Sequence, residues 1–133
     1  MKIVLDTNVL IAALIARGVC HQLLEHCISH HELVTSEFIL NEVRDKLVEK
    51  FKHTSETADE VVRLLRSQLE VVLPVALDAP VCRDADDDNI LATAVAGNCE
   101  CIVTGDKDLL ILKQFKGISI LSPSEFQSYE STE

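Results

Sequence analysis

The chain repeats one local pattern: a short apolar run, then an acidic residue, then a stretch with helical periodicity. Residues 2–5 lead into Asp6, and residues 101–105 lead into Asp106. Short apolar runs that alternate with helices are typical of a parallel sheet covered by helices on both faces. We therefore predict an α/β fold, a three-layer α/β/α sandwich around a mainly parallel sheet of about five strands.

The two acids that follow strands point to a ligand site. Asp6 and Asp106 are expected at the carboxyl ends of their strands, where open α/β sheets bind ligands. Gly105 permits a tight turn and close approach of the backbone to a ligand. Thr7 and Asn8 add a hydroxyl and an amide at the same edge. The structural alternative is that Asp6 or Asn8 only caps the following helix.

A third acid lies inside a predicted helix. Ser36 is the expected N-cap of that helix, and Ile39, Val43 and Leu47 form its apolar stripe. Glu42 lies next to the stripe, so its carboxylate can face the sheet edge rather than only solvent. The alternative is an ordinary solvated helix glutamate.

A run of aspartates opens a later helix. Acids at a helix N-terminus complement free N–H groups and the helix dipole, so their presence alone requires no function. Asp87 precedes Ile90 by three residues and heads the core-facing stripe, which points it toward the top of the sheet. Asp88 heads the neighbouring stripe and is the second choice. Asp84 and Asp86 are interpreted as capping or outer groups.

Gathered carboxylates predict a bound cation. Like charges at one point repel each other, and the usual cation that relieves the repulsion is a divalent metal. Oxygen ligands favour Mg²⁺ or Mn²⁺ over zinc, and two ions would stand about 4 Å apart. An EF-hand is excluded, because Asn89 and Val95 occupy the positions where that motif requires Gly and Glu. We expect one or two ions and hydrolysis of a phosphodiester.

In order and spacing, these motifs resemble the PIN-domain ribonucleases, and most closely the single-domain VapC-type toxins of type II toxin–antitoxin pairs. The resemblance covers nearly the whole chain. Four segments carry it: 4–9, 35–42, 83–94 and 102–108.

The resemblance also implies roles for individual residues. It places the metal ligands, which are the catalytic residues, at Asp6, Glu42, Asp87 and Asp106. It makes the substrate-contacting or supporting polar neighbours Thr7, Asn8, Ser36, Thr104 and Asp108, although capping of the following short helix is the preferred role of Asp108. The family usually has two aspartates where this chain has three, at 86–88. The alignment of the Ala94 end agrees with helical phase in selecting Asp87.

The implied activity is that of a Mg²⁺- or Mn²⁺-dependent endoribonuclease, the toxin of a pair, with RNA as substrate, a basic antitoxin as partner and a homodimeric state. A formal net charge of −10 is unusual for a nucleic-acid-binding protein. Bound cations offset part of this charge, and a cleaving enzyme needs only transient contact with phosphate.

Three other functions stay open. One is a receiver-like phosphorylation switch, in which Glu42 on a helix has no place. The second is a catalytically silent PIN-like binding or scaffold module, which the presence of all four acids disfavours. The third is a metal-dependent phosphohydrolase. A phosphatase of the haloacid dehalogenase type needs a second aspartate at the position of Asn8, so its general acid is missing. Cleavage of RNA by the purified protein separates these functions from a ribonuclease.

Composition and length set the remaining expectations. The chain has 133 residues, of which 47% are hydrophobic, enough for one domain over 1–129 with a frayed tail at 130–133. No apolar stretch reaches transmembrane length, and the start leads into a strand rather than a signal peptide, so we expect a cytoplasmic protein that does not contact a membrane. Five cysteines without CxxC spacing are expected to be reduced.

The second predicted helix carries two further features. His21, His26, His30 and His31 crowd its end. A zinc site there would need a second ligand pair, so polar surface histidines are the preferred interpretation. The first two helices also have more apolar residues than one sheet face requires, which predicts a dimer surface. These residues are Leu10, Ile11, Leu14, Ile15, Val19, Leu23, Leu24, Cys27 and Ile28.

Overall fold

The computed structural model describes residues 1–132 and contains one six-stranded sheet. The strands are β1 (Lys2–Leu5), β2 (Glu32–Thr35), β3 (Glu70–Val71), β4 (Cys101–Val103), β5 (Gln114–Phe115) and β6 (Ile118–Leu121). Strand order is β3-β2-β1-β4-β6-β5, with every neighbouring pair parallel except β5 and β6. The predicted fold class is confirmed. The sheet has one strand more than expected, because the two-residue β5 is too short to show periodicity.

Helices cover both faces of this sheet. The helices are α1 (Thr7–Ile15), α2 (Val19–His30), α3 (Glu37–Glu49), α4 (Ser55–Gln68), α5 (Ala85–Ala96), α6 (Lys107–Leu110) and α7 (Pro123–Ser131). Helices α1, α2, α3, α4 and α7 form one connected layer, in which α1 contacts α2 and α3, α3 contacts α4, and α2 contacts α7. Helix α5 packs on β1 and β2. Within residues 1–132, no single helix is long and apolar enough to span a membrane, although α1 and α2 together form an apolar pair bent by 105°.

The central strands are buried because both faces are covered. Ile3 and Val4 in β1 and Ile102 in β4 are fully buried, which explains their continuous rather than alternating hydrophobicity. The end of α5 lies close to the sheet at Gly97, where an added Cβ would stand 2.7 Å from Val34 Cγ1. This close approach fixes α5 across the sheet and, with it, the position of the aspartates at its start.

The order in which strands are added to the sheet changes side between the parallel neighbours β1 and β4. Strands β2 and β3 extend from one side of β1, whereas β4 and β6 lie on the other. Leu5 pairs with Val103, and the backbone N–H of Asp6 donates to the Val103 carbonyl at 2.9 Å. The residues that follow β1 and β4 therefore meet at a topological switch point, where α/β sheets form ligand crevices.

The C-terminal expectation was wrong in part. Helix α7 begins with a capping box between Ser122 and Glu125 and continues through Ser131, so Glu130 is helical rather than frayed. Its carboxylate pairs with two histidines, which holds this end of the helix in place. Glu133 lies outside the described residues.

The surplus of apolar residues on α1 and α2 is smaller than expected. The domain's own core buries Leu10, Ile11, Leu23, Leu24 and Cys27. Exposure remains at Ile15, Val19 and Ile28, with side chains 44%, 63% and 36% exposed.

Candidate active site

The carboxyl edge of the sheet carries a small polar pocket of about 110 Å³. Four elements supply its acids: β1 ends before Asp6, β4 is followed by Asp106, and α3 and α5 contribute Glu42 and Asp87. The lining residues are Asp6, Thr7, Asn8, Glu42, Lys46, Asp84, Asp86, Asp87, Ile90 and Asp106. The structure therefore brings together the four acids selected from the sequence.

Asp6 is buried and held by two donors. Its Oδ1 accepts a 2.6 Å hydrogen bond from the backbone N–H of Thr7, and its Oδ2 accepts one of 2.7 Å from Thr104 Oγ1. Burial raises the pKa of Asp6, and these hydrogen bonds oppose the shift. Asp6 is also the N-cap of α1. Capping and a place in the pocket are thus both properties of this residue.

Glu42 is oriented from the opposite wall. Thr7 Oγ1 donates a 2.7 Å hydrogen bond to Glu42 Oε1. Burial raises the pKa of Glu42, while the Thr7 hydrogen bond and the Lys46 charge lower it. Thr7 therefore contacts two of the acids, Asp6 through its backbone and Glu42 through its hydroxyl.

Asp87 is the most perturbed carboxyl of the pocket. It is 8% exposed. Burial raises its pKa to about 7, and the neighbouring charges of Asp106, Asp6 and Asp84 add to the shift. A cation placed between these carboxylates would stabilise the ionised form of Asp87 and lower its pKa, because the cation replaces the lost solvation and offsets the repulsion between the carboxylates.

Asp88 faces away from the pocket. Its carboxylate accepts hydrogen bonds from the backbone N–H groups of Val81, at 3.1 Å, and Cys82, at 2.8 Å. The side chain thus holds the loop that precedes α5. This geometry favours Asp87 over Asp88 as the acid of the site, in agreement with helical phase.

Asp106 both lines the pocket and caps the short helix α6, the role expected of Asp108. Asp106 Oδ1 accepts from the Asp108 backbone N–H at 2.8 Å and caps α6, so the assignment of that cap to Asp108 was wrong. Asp108 instead pairs with Arg83 at 2.8 Å. One carboxylate oxygen from each of Asp87, Asp106 and Asp108 lies within 4.8 Å of the others, so Asp108 adjoins the site.

Ser36 lies behind the pocket rather than on its wall. Its Oγ accepts a 3.4 Å hydrogen bond from the Ile39 backbone N–H and one of 3.2 Å from Thr93 Oγ1. The side chain thereby caps α3, as predicted, and connects it to α5. It supports the relative placement of the helices that carry Glu42 and Asp87.

Sequence reasoning assigned no role in the pocket to Lys46. It lies one turn after Glu42 on the same helix face, a spacing that could have revealed it. Its ammonium donates to Asn8 Oδ1 at 3.1 Å, and Lys46 is the one cation among the pocket-lining residues of the described chain. Asp84 caps α5 as expected, and Asp86 also lines the pocket.

The fold and the pocket define an α/β protein with an acid-lined crevice at the switch point of a mainly parallel sheet. Residues 2–108 match the PIN domain family model, and the chain belongs to that family. The match contains all four acids. The uncharacterized protein MJ1680 of Methanocaldococcus jannaschii is 34% identical in an alignment of 119 positions that covers 85% of this chain and 76% of that protein.

Solved structures share the fold at lower identity. VapBC-1 of nontypeable Haemophilus influenzae is 17% identical with a TM-score of 0.66, over 93% of this chain and 99% of that chain. VapBC2 of Rickettsia felis, bound to a DNA fragment from its promoter, is 17% identical with a TM-score of 0.65, over 90% and 97%. VapC20 of Mycobacterium tuberculosis, a toxin that cleaves the sarcin-ricin loop, is 17% identical with a TM-score of 0.58, over 88% and 98%.

Proposed function

We propose that the chain is a Mg²⁺- or Mn²⁺-dependent endoribonuclease and the toxin of a toxin–antitoxin pair. The observation that carries the proposal is the convergence of Asp6, Glu42, Asp87 and Asp106 on one pocket. Family membership and the likeness to VapC folds, one of which belongs to an RNA-cleaving toxin, support it.

The residues present fit a hard divalent cation. The pocket offers carboxylate oxygens, whereas histidine and cysteine are absent from its lining in the described chain. Asp6, Glu42, Asp87 and Asp106 would hold the ion. When bound, it would supply a Lewis acid for the phosphate and lower the pKa of a coordinated water.

The protein's own groups orient this chemistry. The hydroxyls of Thr7 and Thr104 hold the carboxylates of Glu42 and Asp6 in fixed positions. Thr7 is the one hydroxyl residue among the described pocket-lining residues, and its hydroxyl proton is engaged by Glu42. Water is therefore the nucleophile. The Lys46 ammonium at the pocket wall can bind a phosphate oxygen of the substrate.

Metal-dependent cleavage of RNA by the purified chain is the direct test. We expect cleavage with Mg²⁺ or Mn²⁺, none in a chelator, and loss of at least about 100-fold in Glu42→Gln. Asp45→Asn is the matched control, because Asp45 lies on the same helix with an exposed side chain. Equal activity of wild type and Glu42→Gln would contradict the proposed site.

Two further outcomes distinguish the other functions. Hydrolysis of a phosphomonoester without cleavage of RNA would identify a phosphohydrolase. RNA binding without cleavage under every metal condition would identify a binding module.

The proposed partner is a basic antitoxin. A net charge of −10 suits a basic segment, and the similar structures include VapBC complexes. A short basic reading frame immediately upstream would encode it, and adding its product should inhibit RNA cleavage. Unimpeded cleavage in its presence would contradict this part of the proposal. The proposed location is the cytoplasm, where the RNA substrate is.

We also propose a homodimer, formed through the apolar surface that the core leaves exposed. Ile15 and Val19 lie at the junction of α1 and α2 with side chains 44% and 63% exposed. Light scattering at micromolar concentration should give the mass of two 14.7 kDa chains. Val19→Asp should shift the mass toward that of one chain. A single-chain mass for the wild type would contradict the dimer.

A further inference from the structure

A second cluster of side chains that can ligate a metal lies near the amino end of β2, opposite the carboxyl ends of the strands that form the acidic pocket. His26 belongs to α2, His31 lies between α2 and β2, and Glu130 belongs to α7. His26 Nε2 is 2.7 Å from Glu130 Oε2, and His31 Nε2 contacts the same oxygen. One ligand atom from each of the three residues lies within 4.8 Å of the other two.

The two imidazoles are held in place by neighbouring groups. His31 is 11% exposed at its side chain, its Nδ1 is 3.2 Å from the amino group of Met1, and its ring stands edge-on to Phe126. His26 stacks on the His30 ring at 4.5 Å. These contacts fix the positions of both rings. In metal sites the second ring nitrogen of a ligating histidine donates its N–H to an acceptor, a role that the Met1 amino group can take at His31 only as a neutral amine.

The cluster is open to solvent through a cleft of about 240 Å³ between α2 and α7. His26 and Glu130 form one end of this cleft, and Leu23 and Phe126 contribute to its walls. The cleft provides both an entry path for an ion and room for a water molecule as a further ligand.

We propose that His26, His31 and Glu130 form a Zn²⁺ site, with the two Nε2 atoms and the carboxylate as protein ligands and water in the fourth position. Tetrahedral zinc with bonds near 2.0–2.1 Å places its ligand atoms about 3.3 Å apart. His26 Nε2 and Glu130 Oε2 are 2.7 Å apart, and all three ligand atoms lie within 4.8 Å of one another, so the atoms are already within range of one ion. Imidazole ligands distinguish this site from the all-oxygen pocket, which suits Mg²⁺.

Binding would replace hydrogen bonds with metal bonds and connect three elements. The metal needs the Nε2 lone pair, so the proton that each Nε2 donates to Glu130 would move to Nδ1 of the same ring. At His31 that Nδ1–H would face the Met1 amino group, which would release one proton to solvent and accept the hydrogen bond as a neutral amine. The ion would then fasten α7 to α2 and to the start of β2. The site therefore acts on stability, at the sheet edge away from the proposed catalytic pocket.

Competition between the full chain and a chromogenic chelator for Zn²⁺, in excess Mg²⁺, tests the site. Excess Mg²⁺ occupies oxygen ligands and leaves imidazole ligands free. We expect one Zn²⁺ per chain, bound at least about 10-fold more weakly by His26→Gln and by Glu130→Gln. His21→Gln is the matched control, because His21 pairs with Glu25 at 3.0 Å outside the cluster.

Thermal unfolding gives a second measurement on the same proteins. Zn²⁺ should raise the Tm of the wild type and of His21→Gln, and should leave that of His26→Gln unchanged. Absence of Zn²⁺ binding by the wild type in excess Mg²⁺, or equal affinity in wild type and both cluster variants, would overturn the proposal and leave ordinary His–Glu pairs. Neither result depends on RNA cleavage.

Discussion

The hydroxyl of Thr104 donates a 2.7 Å hydrogen bond to Asp6 Oδ2. Thr104 Oγ1 also accepts a 3.0 Å hydrogen bond from the backbone N–H of Asp106. A single side chain at the end of β4 therefore connects the acid that follows β1 with the turn that presents Asp106. This connection explains how two acids that are 100 positions apart in the sequence keep a fixed relation.

Replacing Thr104 with valine should reduce RNA cleavage about 10-fold, as loss of a supporting hydrogen bond to a metal ligand commonly does. The change also leaves the Asp106 N–H without its acceptor. Cleavage rates measured across a Mg²⁺ titration should show a higher Mg²⁺ requirement. Thr104→Ser keeps the hydroxyl and should retain most of the activity, and equal loss in both variants would argue for a packing effect instead.

Substitution of Asp87 should reduce activity, whereas substitution of Asp88 should reduce stability. Asp87→Asn should lose at least about 100-fold in cleavage rate, because it removes a proposed ligand. Asp88→Asn should stay active but unfold more easily by about 1 kcal/mol, because its carboxylate accepts from the Val81 and Cys82 N–H groups. Cleavage assays and urea unfolding of both variants provide the measurements. The reverse pattern would move the ligand assignment to Asp88.

The stability of the metal-free protein should fall as pH rises. Burial and neighbouring carboxylates raise the pKa of Asp87 from 3.8 to about 7, and burial also raises those of Asp6 and Glu42. These three carboxyls therefore bind more protons in the folded state than in the unfolded state. Glu37, Glu125 and Glu130, whose pKa values are lowered from 4.5 by hydrogen bonds, act in the opposite direction only near and below that pH, so the free energy of unfolding decreases from about pH 5 to about pH 8.

Asp87→Asn should remove much of this decrease. Relative to wild type, it should raise the free energy of unfolding at about pH 8 by about 1–3 kcal/mol and change it little at about pH 4, since one pKa unit corresponds to about 1.4 kcal/mol. Urea unfolding in chelator gives the values. Added Mg²⁺ should stabilise the wild type more than the variant. A wild type whose stability rises over this range would contradict the prediction.

Lys46 should contribute to RNA binding through phosphate contact. Its ammonium lies at the pocket, where it bonds to Asn8. Lys46→Gln should weaken RNA binding and lower the slope of log affinity against log salt by about 1. Titrations of RNA binding at several salt concentrations measure both effects. Lys50→Gln, at the end of the same helix, is the control, and an equal change in both variants would assign the effect to general charge.

Local arguments from the sequence alone predicted the sheet class and three of the four proposed metal ligands. Asp6 and Asp106 follow apolar strands, and parallel strands end at a common edge. Asp87 follows from helical phase, since the core-facing stripe of α5 fixes which aspartate points inward. These features depend on hydrophobic periodicity over a few residues, and that periodicity can be read directly from short segments of the sequence.

Other features required the packed chain. Glu42 could equally have been solvated, and it faces the pocket because contact between α1 and α3 brings Thr7 within hydrogen-bonding distance. Glu130 was expected in a frayed tail, yet docking of α7 on α2 brings it to His26 and His31. Periodicity determines which face of an element is apolar. Only the long-range packing of those faces determines which polar groups, 35 to 104 positions apart, become neighbours.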